Sequence, residues 1–154
     1  MLKSASEATG IKSATHTLSF QTERGPEFID ITDRVIQLVE KSGIQTGFVV
    51  VYSKHTTAAI TINENEPHLI QDMEEMLERI LPGGHDYRHN AYGHPPDNGD
   101  LPNGHSHCQH LFLGASENIP IVAGRPVLGQ WQRVFLVELD HAREREVVVQ
   151  ILGE

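Results

Sequence analysis

The sequence predicts an α+β domain, a mainly antiparallel sheet with two main helices packed on it. Three observations carry this. Short β-branched segments open the chain and recur as a run near its end, without strict strand–helix alternation. Two other segments, 31–39 and 67–80, space their apolar residues at helical intervals. Between the second helix and the last strands lies an irregular stretch, Gly84 to His110, rich in Pro, Gly, Asn and His.

Ala14 to Gln21 alternates, with Ala14, His16, Leu18 and Phe20 on one side and Thr15, Thr17, Ser19 and Gln21 on the other, as a half-buried strand does. Gly25 and Pro26 break it, and Phe28 to Ile31 adds a short second strand. Thr32 reads as a helix N-cap with Asp33 near the positive end of the dipole. Ile31, Val35, Ile36, Leu38 and Val39 form the helical stripe, and Gly43 supplies a left-handed stop. TGFVVVYS, Thr46 to Ser53, reads as a central strand buried on both faces. Thr57 to Ile62 is the next strand.

Pro67 stands in the first turn of a second helix, where its missing N–H costs nothing. Leu69, Ile70, Met73, Met76, Leu77 and Ile80 follow helical spacing, with Asp72 on the solvated flank, and Pro82-Gly83-Gly84 ends the run. A loop of about 24 residues follows, long enough to suggest a binding segment. Residues 107–114 fit a short helix or a strand equally well. Ile119 to Val122, Val127-Leu128, Trp131 to Leu139 and Glu146 to Leu152 read as strands. One domain over 13–154, behind a flexible tail at 1–12, accommodates all of them.

The 154 residues are 38% hydrophobic and 21% charged, with a formal net charge of -9. That charge argues against general nucleic-acid binding, which needs a positive surface. A single cysteine, Cys108, reads as a small apolar filler and points to a reducing compartment. No apolar run approaches a membrane span and the N-terminus lacks a signal-like core, so a cytoplasmic protein is expected.

Three stretches offer chemistry. The irregular segment holds six of the ten histidines: His85, His89, His94, His105, His107 and His110. Their spacing permits a divalent-metal site or simply a solvated histidine-rich loop. SKHTTAAITINENE joins two apolar strands through the polar knot Lys54-His55-Thr56-Thr57. His55 there either faces a cleft or is satisfied within a tight turn. Glu64 shares strand parity with Ala58, Ile60 and Ile62, and is either a general acid or base or a charge near a helix N-terminus. LGQWQRVFLVELDHARER places Gln132, Val134, Leu136 and Glu138 on one strand face, with Arg143 and Arg145 beyond. Paired arginines clamp phosphate or carboxylate; the alternative is a hairpin edged with surface ion pairs, Asp140 among them. Trp131 reads as core or an interface anchor.

HTTAAITINENE, the passage from RHN to NGHSH, PIVAGRPVLGQWQ and ELDHARER occur in an order that resembles the YjbQ-like family, over about Thr15 to Gly153. The resemblance implies a compact α+β fold, a homotrimer, and a secondary thiamine-phosphate synthase activity. It places recurrent polar residues on His55, Thr56, Thr57, Asn63, Glu64, His89, Asn90, Asn103, His107, Gln132, Glu138, Arg143 and Arg145. His55, His89 and His107 would hold a divalent metal, Mg or Zn. His55, Glu64, His107 and Glu138 would be catalytic. Lys54, Thr56, Thr57, Asn63, Asn90, Asn103, Gln132, Arg143 and Arg145 would bind a small phosphorylated substrate. The chain departs from the pattern at His141-Ala142, where a Gly-Pro-like turn is usual, and at Gln130, where a small hydroxyl residue is usual. Two other functions fit the same residues: a metal-dependent hydrolase of a phosphorylated or amide substrate, and a non-enzymatic trimeric protein binding a small anion or a metal.

Overall fold

The computed structural model describes residues 10–92 and 101–154. The first nine positions of the expected tail, and His94 of the histidine-rich segment, lie outside the described residues. The elements in chain order are β1 (Lys12–Gln21), β2 (Glu27–Asp30), α1 (Thr32–Ser42), β3 (Thr46–Ser53), β4 (Ala58–Asn63), α2 (Pro67–Ile80), α3 (Arg88–Tyr92), α4 (Gly104–Leu113), β5 (Ser116–Val122), β6 (Arg125–Pro126), β7 (Arg133–Glu138) and β8 (Glu144–Gly153). Among the described residues, no helix is long and apolar enough to cross a membrane.

The strands form two sheets, one ordered β1-β8-β3-β5-β6 and the other β2-β7-β4, with every described pairing antiparallel. The parity of β7 shows how they stack. Val134 and Leu136 point into a core shared with Val49 and Val51 of β3, Val147, Val149 and Ile151 of β8, and Val35 and Val39 of α1. Phe135 and Val137 point the other way, with Leu139, toward Leu77 of α2 and Leu113 at the end of α4. The order of layers is therefore large sheet, first core with α1 packed into it, small sheet, second core, then α2 and the end of α4. All fifteen side chains of the first core's buried set are 2% exposed or less, so removing one large side chain there costs about 2–5 kcal/mol.

Several expectations change. β3 is not buried on both faces: Val49 and Val51 are buried, but Phe48 is 38% and Tyr52 44% exposed. Among the described residues no helix covers the side of the large sheet that Phe48 and Tyr52 face, so a nearly all-apolar strand still obeys period-two burial. Thr32 is not the helix cap. Its hydroxyl donates to Asp30 Oδ1 at 2.6 Å and accepts from the Val134 N–H at 2.8 Å, tying α1 to the small sheet. Gly43 does end α1, at φ 71°. Glu66 caps α2, accepting from the N–H groups of His68 and Leu69. The described part of the expected long loop contains α3 and the start of α4, and Val127-Leu128 lies just past β6 rather than in a strand. Trp131 is 64% exposed, outside the core.

Candidate functional site

The 58/138 end of the β4–β7 ladder is built on a buried ion pair between the sheets. Glu138 continues the inward parity of Val134 and Leu136, and Arg145 begins the inward parity of β8. They are 0% and 4% exposed. Arg145 Nε donates to Glu138 Oε2 at 2.6 Å and its Nη2 to Oε1 at 2.5 Å, a bidentate pair. Thr22 Oγ1 and the N–H groups of Leu139 and Asp140 donate to the same carboxylate. Arg145 Nη2 also donates to Thr57 Oγ1 at 2.9 Å. With so many donors on it, the Glu138 carboxylate has no part left to offer a ligand. It positions Arg145 instead.

A second carboxylate lies one layer further out. Asp140 is 2% exposed and accepts from Asn103 Nδ2 at 2.9 Å, the His141 N–H at 2.8 Å and Arg143 Nε at 3.0 Å. Burial pushes its pKa up, but the Asn103 amide, the His141 N–H and the Arg143 charge outweigh that and hold it below the ordinary carboxylate range. Asn103 spends its amide on Asp140 and gives no side-chain cap to α4. Asn90 does that work: its Oδ1 accepts from the Gly104 N–H at 2.9 Å. Any Cβ at position 104 would lie 2.5 Å from Tyr87 Cβ, so glycine is what lets α4 start here.

The turn between β3 and β4 supplies His55. Ser53 Oγ donates to the Ala58 carbonyl at 2.6 Å and accepts from the His55 N–H at 3.3 Å, which closes the turn. His55 Nε2 accepts from the Glu146 N–H of β8 at 2.9 Å. Burial and the nearby Arg145 charge lower its pKa, keeping the ring neutral at pH 7. Lys54 pairs with the Glu146 side chain at the rim.

Together these groups enclose a polar cleft of about 330 Å³, lined by Lys54, His55, Thr56, Thr57, Asn103, His107, Asp140, Arg143 and Arg145. Eight of these nine are residues the sequence nominated. The ninth, Asp140, reads as a turn residue; its shared parity with Glu138 in ELDHARER was the available signal. A larger recess of about 610 Å³, walled by Ile80, Leu81, Pro82, Tyr87 and His89 among others, shares His107 with the cleft. The His89 and His107 rings meet edge to face there, centroids 4.7 Å apart.

Asn63, Glu64 and Gln132 are not brought to this cleft. They line a separate recess with Trp131 at the 63/133 end of the ladder, about 17 Å away at roughly 3.3 Å per strand residue. Nor do the imidazoles fit the metal site the resemblance implies. Among the described residues, no three His, Cys, Asp or Glu side chains are grouped to hold an ion. The Nε2 lone pair of His55 is already taken by a backbone N–H.

Fold and cleft define a class: a two-sheet α+β domain whose sandwich closes, at one end, on carboxylate-held arginines and a neutral histidine. Residues 16–154 match the family described as UPF0047 protein YjbQ-like, and the chain belongs to that family. A UPF0047 protein from Methanothermobacter thermautotrophicus is 42% identical over 91% of this chain and 92% of its own length. YugU of Bacillus subtilis is 33% identical over 89% and 98%. The crystal structure of a YbjQ-like protein of unknown function from Sulfolobus solfataricus superimposes with a TM-score of 0.87 at 38% identity, covering 94% of this chain and all of that one.

Proposed function

We propose that the cleft binds a small phosphorylated metabolite and that the protein acts on it as a transferase of the thiamine-phosphate synthase type. The observation that carries this reading is Arg143. Its Nε is held by the buried Asp140 carboxylate, while its outer N–H groups have no protein partner among the described residues. A guanidinium aimed from behind in this way is preorganised for a phosphate oxygen. In the reaction the resemblance implies, the thiazole ring nitrogen attacks the pyrimidine methylene carbon. The C–O bond breaks, and pyrophosphate leaves with the bonding pair. The protein's part is to orient both rings and stabilise charge on the departing group. Arg143, Lys54 and His55 suit the second task, and the apolar recess beside His107 suits the first.

The test is thiamine phosphate formation from hydroxymethylpyrimidine diphosphate and thiazole phosphate, with and without added Mg²⁺ or Zn²⁺. Arg143→Gln is expected to lower kcat/KM about 100-fold, the effect of removing one charge-stabilising donor. Equal rates in wild type and variant would assign the activity to a contaminant.

A second reading, a non-enzymatic anion-binding protein, is favoured by the charge balance. Each cation of the cleft already faces a carboxylate: Arg145 with Glu138, Arg143 with Asp140, Lys54 with Glu146. A cleft so balanced suits phosphate better than a more highly charged diphosphate. Saturable phosphate binding without turnover would support it. The homotrimer belongs to either reading, and the exposed apolar side chains of Phe48, Tyr52 and Val122 on the large sheet support burial against other copies. Sedimentation velocity at micromolar concentration distinguishes trimer from monomer.

A further inference from the structure

We propose that His55 is a neutral hydrogen-bond donor of fixed tautomer, offering its Nδ1–H to the anion in the cleft, and neither a base nor a metal ligand. The inference rests on the anion-binding part of the proposed function and assigns His55 a role different from the one the family resemblance implies.

A backbone N–H only donates, so the ring nitrogen facing Glu146 N at 2.9 Å must be an acceptor. A neutral imidazole has one acceptor and one donor nitrogen; with Nε2 accepting, the proton is on Nδ1. The ring forms part of the cleft wall, and Nδ1 has no hydrogen-bond partner among the described residues. Nδ1–H is therefore the one polar group this ring has left to give.

The scaffold keeps it so. Glu146 N belongs to β8, whose neighbour Arg145 is locked by Glu138, so the donor to Nε2 cannot swing away without disturbing a buried pair. Ser53 fixes the main chain on the other side of the ring. Protonating the ring would leave two N–H groups facing each other at Nε2, and metal binding at Nε2 would leave the Glu146 N–H unpaired. Each change costs a part-buried hydrogen bond. A neutral imidazole donor is well suited to a developing negative charge, because it stabilises without transferring its proton.

Side-chain isosteres test this. The amide nitrogen of Asn occupies the place of Nδ1, so His55→Asn should bind inorganic phosphate within about threefold of wild type in calorimetry. His55→Ala should lose about tenfold, the weight of one hydrogen bond to a charged group. Long-range ¹H–¹⁵N spectra of the unmutated protein at pH 8 should show protonated Nδ1 and unprotonated Nε2. Added phosphate should move the Nδ1 resonance, and added Zn²⁺ should leave Nε2 unmoved. An Nε2–H tautomer, a Zn²⁺-shifted Nε2, or an Asn variant as weak as the Ala variant would overturn the role of His55 while leaving the proposed function standing. Wild-type protein that binds no phosphate, or Arg143→Gln that binds it as well as wild type, would overturn both.

Discussion

At the 58/138 end of the β4–β7 ladder, Glu138 and Arg145 close the sandwich from inside and hold a cleft open above them. At the 63/133 end, Asp30 and Arg133 make a pair of similar chemistry with a different outcome. Asp30 Oδ2 accepts from Arg133 Nε at 2.7 Å and Asn65 Nδ2 at 2.8 Å, and its Oδ1 accepts from the Thr32 N–H and hydroxyl. Arg133 Nη2 turns outward to the exposed Asp33. This end spends its polar groups on joining the start of α1 and the β4–α2 connection to the sheet. The cleft end spends Glu138 and Asp140 on holding the arginines, but leaves the outer edge of Arg143 and one nitrogen of His55 for something else. The same residue types thus build a tie at one end and a receptor at the other, and depth decides which. Glu138 is fully buried beneath Arg145, whereas Arg133 is one-third exposed at the rim.

The largest expected effect tests that difference in depth. Glu138→Ala should destabilise the fold by about 3–5 kcal/mol in urea unfolding, because it strands a buried guanidinium. Replacing both Glu138 and Arg145 by Leu should recover most of that loss while still abolishing phosphate binding. Arg133→Ala, at the shallower pair, should cost about 1–2 kcal/mol and leave phosphate affinity unchanged. If the two single variants proved equally destabilising, burial would not be what separates the two ends.

A smaller effect comes with pH. His55, His105 and His110 all have pKa values lowered by burial, so the folded state binds fewer protons than the unfolded chain. The stability they contribute is complete above about pH 6.5 and is lost as the pH falls below it toward their folded values. The urea midpoint should therefore drop between pH 7.5 and 5.5, and His110→Leu should flatten that drop. Asp140 and Asp30 act lower. Their depressed pKa values stabilise the fold above about pH 4, and that contribution disappears with further acidification. The smallest effect is at the rim: Lys54→Met should leave the melting temperature unchanged, since Lys54 and Glu146 are both nearly half exposed and screened by solvent.

Much of the fold was legible locally. The two helical stripes end where Gly43 and the Pro82-Gly83-Gly84 run say they should, and the strand parities of Ala14–Gln21 and Val134–Glu138 hold. The misreadings share a cause. Thr32 looked like a cap because capping is a local rule, yet its hydroxyl is claimed by Val134, 102 positions away. TGFVVVYS reads as doubly buried because composition does not reveal that the sheet face carrying Phe48 and Tyr52 is left exposed among the described residues. Asp140 reads as a turn charge because two of its partners, His141 and Arg143, are local, whereas the third, Asn103, lies just before α4 and 37 positions away.

By itself, then, the sequence determined most of the strands, the two apolar stripes and seven of the nine cleft residues, with Asn103 added only by the family resemblance, since periodicity and residue chemistry are properties of neighbours along the chain. Only the tertiary structure decided that Asn63, Glu64 and Gln132 stand at the opposite end of the sandwich, that Glu138 lies beneath the cleft, and which nitrogen of His55 is already engaged. Those facts depend on which atoms from distant strands come within hydrogen-bond range, and sheet register and layer order set that distance.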